Sequence, residues 1–254
     1  MKNIYRWDNL TRPEIERLRD EGAIVIIPTG SIEQHGPHLP VGADYLISTG
    51  YAERVAKILH DRYGKSAVVA PSVAIANSLH PMSFPGTISL QPATYMQWLL
   101  EYCQCIAQHG FTKIVMINGH GGNVVPTETA IITINEKLGF PVYMMTYECG
   151  SEKEVDEILE TQRAGIHACE METSVALHLY PDLVDPSYKE VKSGNYSKEN
   201  SFGGGGKPYT FWRIEHYTDN GAIGNTYAAS PEKGKRLVEA YSNKLAEIIA
   251  GLWE

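Results

Sequence analysis

Residues 23–36 read AIVIIPTGSIEQHG. The first half is almost wholly apolar, with Ile24, Val25, Ile26 and Ile27 in succession. A strand buried on both faces needs such a run. The second half turns abruptly polar and places Glu33 and His35 one residue apart. In an extended segment, residues i and i+2 point to the same side, so the two face one cavity. The stretch continues through His38 to Asp44, and a plain solvent loop has no need of that crowding of metal-preferring side chains.

Three further apolar runs match the first: AVVAPSVAI from Ala67, KIVMING from Lys113 and PVYMMTY from Pro141. Helical patterns alternate with them. They are expected over Asp44 to Tyr63, Pro92 to His109 (stopped by Gly110), Val124 to Leu138 (closed by Gly139), Met171 to Leu179 and Pro231 to Leu252. Alternating strand and helix predicts an α/β fold around a mostly parallel sheet. Such sheets bind ligands at the carboxyl ends of their strands. The GSIEQHG and NGHGGN loops both follow strands and so emerge on the same edge.

The bulk properties bound the rest. The chain of 254 residues is 43% hydrophobic and 20% charged, so a packed core is expected, read as one domain over 1–254. A formal charge of -8 argues against nucleic-acid or anionic-membrane binding. The opening MKNIYRWDNL has no apolar core of a secretory signal, and no apolar run is long enough to cross a membrane. Cys103, Cys105, Cys149 and Cys169 show neither a zinc-finger nor a disulfide spacing. A reduced, cytoplasmic protein is the simplest expectation. The stretch from Pro186 to Pro208, which contains Gly203 to Gly206, reads as a long loop or flap: a lid, an oligomer contact or a plain surface loop.

The chemistry-bearing residues form three clusters. Asp44 stands where a long helix should begin, as N-cap or ligand. His120 sits in NGHGGN, where Gly119 and Gly121 let the backbone come close to a ligand. No basic residue flanks that loop to meet a phosphate. HACEMETS carries His167, Glu170 and Glu172; the two glutamates cannot share one helical face. Imidazoles with carboxylates suit zinc, manganese or iron better than magnesium or calcium. Two carboxylates and two histidines can hold a pair of ions that activate water, and a nearby histidine can shuttle protons. His80 and His38 read as residues that shape turns, and Trp98 and Trp253 as helix core.

Four ordered motifs, GSIEQHGPHLPVGAD, SLHPMSFPGTISL, NGHGGN and HACEMETS, resemble the creatininase (creatinine amidohydrolase) family, with a weaker match in GAIGNTYAASPEKG. The resemblance implies a three-layer α/β/α sandwich, two divalent ions (zinc, manganese or iron) and a homo-oligomer, often a hexamer. It implies that Glu33, Asp44 and His120 serve one ion. His35 and a bridging Asp44 serve the other. Creatininase has a glutamate two residues after the NGH histidine, and here Gly122 stands there, so Glu172 becomes the candidate to complete the second site. His167 matches the catalytic histidine, and Ser78 is expected to touch substrate. Arg163 replaces a family tryptophan and favours a carboxylate- or phosphate-bearing substrate, unless it is simply a solvated helix residue. Trp212 is a candidate to reach the site of its own or a neighbouring subunit. The activity implied is metal-dependent hydrolysis of a C–N bond in a cyclic amide or related small molecule. A formamide deformylase or a hydrolase of a cyclic ketone from sugar or inositol breakdown is the alternative, and a metal-binding module without turnover the non-enzymatic one.

Overall fold

The computed structural model describes residues 5–150, 152–161, 167–194, 211 and 213–253. Four parallel strands, β1 (Ile24–Thr29), β2 (Ala67–Val69), β3 (Ile114–Asn118) and β4 (Val142–Thr146), form one sheet in the order β2-β1-β3-β4. Among the described residues, seven α-helices flank it: α1 (Arg12–Asp20), α2 (Ala43–Tyr63), α3 (Pro92–Gln108), α4 (Val124–Leu138), α5 (Glu152–Asp156), α6 (Glu170–Leu179) and α7 (Pro231–Gly251).

Period-two alternation divides the core into two layers. Ile24 and Ile26 of β1, with Val115 and Ile117 of β3, pack against α2, α6 and α7 through Val55, Met171 and Leu245. Val25 and Ile27, with Ile114 and Met116, face α1, α3 and α4 through Leu18, Leu99 and Ile134. The expected α/β sandwich is the fold observed.

The differences are local. Only Ala67–Val69 of the expected AVVAPSVAI run is regular strand, because Pro71 interrupts the ladder. The chain then touches the sheet again through a single bridge from Val73 to Thr29. β4 is not buried on both faces: beyond Val142 its residues are only half-buried. Helix α1 went unread in the sequence although Thr11 and Glu14 form a capping box at its start. Trp98 is 40% exposed and packs at a tilt against Tyr102, with ring centroids 5.0 Å apart, so it is no core residue. Trp253 packs edge-on against Tyr143 at the border of the core. The four cysteines are free.

The connection from β1 leads to β2 on one side, and the chain then crosses back to place β3 on the other. The β1–β3 boundary is thus the topological switch point. At its edge Thr29 Oγ1 donates to Asn118 Oδ1 at 2.9 Å, joining the last residues of both strands.

Candidate metal and catalytic site

Close backbone packing builds the site. A Cβ on Gly30 would lie 2.3 Å from the Tyr45 nitrogen, and one on Gly119 would lie 2.8 Å from the Asp44 carbonyl oxygen. Glycine at both positions lets the exits of β1 and β3 press on the first turn of α2. Asp44 lies inside that turn rather than capping it, because Gly42 is the N-cap residue. Its carboxylate is thereby available to the cluster. Asn123 latches the loops: its Nδ2 donates to Gly30 O at 2.9 Å, and its Oδ1 accepts from Asn77 N at 3.2 Å.

Glu33, His35, Asp44, His120, His167 and Glu172 converge here and are all buried. Asp44 bridges two histidines: Oδ1 lies 2.9 Å from His35 Nε2, and Oδ2 lies 2.9 Å from His120 Nδ1. Glu33 Oε2 stands 3.5 Å from His120 Nε2, and Oε1 stands 3.4 Å from His167 Nδ1. Ser78 Oγ donates to Glu33 Oε2. The sets Glu33–His80–His120, Glu33–His35–His167 and His35–Asp44–Glu172 each place three ligand atoms within 4.8 Å of one another.

The donor chemistry fits divalent cations. Glu172 Oε2 is buried without a hydrogen-bond partner among the described residues, whereas His35 Nε2 and Asp44 Oδ2 meet only the cluster's own Asp44 Oδ1 and His120 Nδ1. Buried polar atoms left so are costly unless something else engages them. Burial pushes the Glu33 carboxyl up to about 7, with Asp44 adding to the effect and His120 and His35 opposing it. Burial also works against charge on His35 and His120. The surrounding carboxylates outweigh it, holding His35 up to about 10 and His120 up to about 9. Asp44 is held below its ordinary range because those imidazoles overcome its burial. Protons and cations compete for such a ligand set.

Other residues take different roles. Burial, then the charge of His35, drives His167 well below its usual value, so it stays a neutral imidazole. His80 does not merely shape a turn. It lines the cavity, stacks on His120 at 5.5 Å, and has Nε2 3.7 Å from Glu33 Oε2. His38 is structural, as its sequence context suggested: its Nε2 shares a hydrogen bond of 2.8 Å with Thr173 Oγ1. Glu170 points away from the cluster. It accepts from the Thr161 main chain at 2.8 Å and pairs with Lys233. A Cβ on Gly122 would lie 2.5 Å from both Asn77 O and His120 Nε2, so this loop has no room for a glutamate there. Glu148, after β4, went unremarked in the sequence; burial and the Glu172 charge push its carboxyl up to about 7. Ala168, between His167 and α6, has a φ of 51°, a left-handed conformation that non-glycine residues rarely adopt outside constrained sites. Arg163, Trp212 and Gly203 to Gly206 lie outside the described residues.

A cavity of about 560 Å³ opens above the cluster. Its floor is the ligand set with Gly119, Gly121 and Gly122, and its wall is Leu79, Met96, Val125 and Phe211. Ser78 is fully buried beneath it, against Glu33. Another cavity, about 630 Å³ beside Trp7 and Phe111, brings together none of the metal-holding sets found among the described residues.

The sequence profile of the creatininase family, described as creatinine amidohydrolase, matches residues 8–249. Over 172 residues the chain is 37% identical to the mycofactocin precursor peptide peptidase of Mycolicibacterium smegmatis, covering 68% of this chain and 63% of that protein. The chain thus spans under two thirds of that relative's length. It is 26% identical to the 3-dehydro-scyllo-inosose hydrolase of Thermotoga maritima over 98% of this chain and 83% of that one. The solved structure of manganese creatininase superposes with a TM-score of 0.80 at 25% identity, covering 96% of this chain and 97% of the other.

Proposed function

The chain belongs to the creatininase family, and from that premise we propose that it is a divalent-metal-dependent amidohydrolase that opens a C–N bond in a small cyclic amide or related amide. One observation carries the reading: a buried set of carboxylates and imidazoles, the unpartnered Glu172 Oε2 among them, at the switch point of a parallel sheet.

Glu33, Asp44 and His120 would hold one ion, and His35, Asp44 and Glu172 the other, with zinc or manganese the natural occupants. Bound ions supply the positive charge that acidifies a water and polarises the bond under attack. Ser78 steadies Glu33 by donating to it. His167, whose Nδ1 stands 3.4 Å from Glu33 Oε1, is assigned to pass a proton to the leaving nitrogen. Gly119 and Gly121 leave main-chain groups open to the substrate, and the apolar wall excludes water from its other side. Arg163, four residues before His167 in the sequence, is assigned to the substrate's acidic group.

We assign the protein to the cytoplasm as a homo-oligomer, with a hexamer the form that the family resemblance implies. Free cysteines and the lack of any helix long and apolar enough to cross a membrane, among the described residues, support the location. Light scattering of the purified protein tests the assembly.

Hydrolysis of a cyclic polyol ketone is the second reading, favoured by the near full-length match to the inosose hydrolase. One experiment separates them. Manganese- and zinc-loaded protein is assayed on creatinine, other lactams, formamides, short peptides and cyclic polyol ketones. Turnover of an amide that disappears on chelation and in Glu33→Gln supports the first reading, and turnover of only a ketone selects the second. Equal turnover with and without metal overturns both.

A further inference from the structure

Outside the cluster of carboxylates and imidazoles, the side chains that line the cavity are apolar apart from Asn77: Leu79, Pro92, Met96, Val125, Pro126 and Phe211. Asn77 is tied down, its Nδ2 donating to Gly122 O at 2.8 Å. Among the described residues, no lysine or arginine lines the cavity.

Two of these apolar side chains are open to water: Val125 is 67% exposed and Phe211 52%. Val125 lies in the first turn of α4, where free main-chain N–H groups ordinarily draw polar or acidic side chains. Here Val124, Val125 and Pro126 open the helix, and no acidic residue stands in that turn. Asn123 does not cap it, because its side chain bonds Gly30 and Asn77 instead. A lone exposed apolar side chain needs no explanation, but these are gathered along one cavity beside the ligand set. A local rule broken at such a place marks function rather than folding. The cavity, at about 560 Å³, falls among those that enclose drug-sized molecules, roughly 300–1,000 Å³. Such a space holds more than a bare five-membered ring.

We propose that Leu79, Met96, Val125 and Phe211 form a subsite for an uncharged apolar group, of branched-aliphatic or aromatic size, that the substrate carries beside its scissile amide. The assignment rests on the hydrolytic reading above and narrows its substrate class to amides with a hydrophobic substituent. Binding removes apolar surface from water on both partners, since the substituent and the exposed faces of Val125 and Phe211 are covered together. The wall residues supply none of the atoms in the metal-holding sets, so the subsite acts on affinity and leaves metal binding alone.

The test uses zinc-loaded protein and two matched series of amides. The cyclic series is hydantoin with its 5-carbamoylmethyl, 5-isobutyl and 5-benzyl derivatives. The open series is N-formylglycine, N-formylasparagine, N-formylleucine and N-formylphenylalanine. Calorimetry gives Kd for each compound, and kcat/KM is measured wherever turnover occurs. In at least one series the isobutyl or benzyl compound should bind about 10- to 100-fold tighter than the unsubstituted one, with the carboxamide gaining little. Val125→Ser combined with Phe211→Ser should cut that advantage to about threefold or less. Zinc content and melting temperature should hold, because both side chains are exposed. If the compounds bind in this order and none is hydrolysed, the hydrolytic reading falls and the subsite stands. Equal affinity within both series, tighter binding of the carboxamides, or no measurable binding by any compound overturns the proposal. So does an apolar preference that survives the double variant.

Discussion

Glu170 and Glu172 sit in the same first turn of α6, yet they serve opposite ends of the problem. Two residues on a helix diverge by roughly 200°. Glu170 meets Lys233 and Thr161, whereas Glu172 sends an unpartnered oxygen toward His35 and Asp44. Glu172→Gln should therefore lose about one of two ions per chain on metal analysis, while Glu170→Gln keeps both. Glu170 should matter to stability instead. Burial disfavours its charge, but Lys233 and Thr161 outweigh burial and hold the carboxyl below its ordinary value of 4.5. A lowered folded pKa means the contribution is complete above the unfolded value and fades as pH falls through the folded one. Urea melts should show Glu170→Gln weaker by about 1–3 kcal/mol at neutral pH, with the gap narrowing below pH 4.5. Spacing within one motif made Glu33 with His35 legible as a pair. His80 read as a turn residue, and Gln34 and Asn123 went unremarked, because their partners lie far along the chain: His80 meets Glu33 and His120, Gln34 meets Gly221 and His167, and Asn123 meets Gly30.

Elements meet at the site through main chain rather than side chains. Gly30 and Gly119 bring two strand exits onto α2, and neither position has room for a methyl group. Gly119→Ala should push β3's exit from Asp44, lower stability by about 1–3 kcal/mol and weaken zinc binding, read by calorimetry. An unchanged melting temperature and affinity would show that the contact relaxes freely. Apolar runs and closing glycines located the helices; Gly64 and Gly139 end α2 and α4 in left-handed conformations. The short helix α1 was missed because RPEIERLRD offers only Ile15 and Leu18 to mark an apolar face. The edge status of β4 was illegible because strand order depends on crossovers, and its run VYMMT is as apolar as a central strand's.

At the scale of the whole molecule, the ligand set is drawn from the loop after β1, the start of α2, the loop after β3 and the first turn of α6. Cations binding there tie together segments from Glu33 to Glu172. Loading with zinc or manganese at 100 times Kd should raise stability by about 2.7 kcal/mol per site, visible as a melting shift that a chelator reverses. Identical melts for stripped and loaded protein would show that the cluster binds no ion. The layer architecture was readable at this scale because alternating strand and helix admits few packings. The cavity has a further consequence. Its floor and its apolar wall come from different stretches: Leu79, Met96, Val125 and Phe211 contribute no atom to the metal-holding sets. Such a division of labour lets the molecule be retooled. Exchanging wall residues should alter which compounds are accepted while the reactive machinery stays in place, offering a route by which one scaffold diversifies its diet.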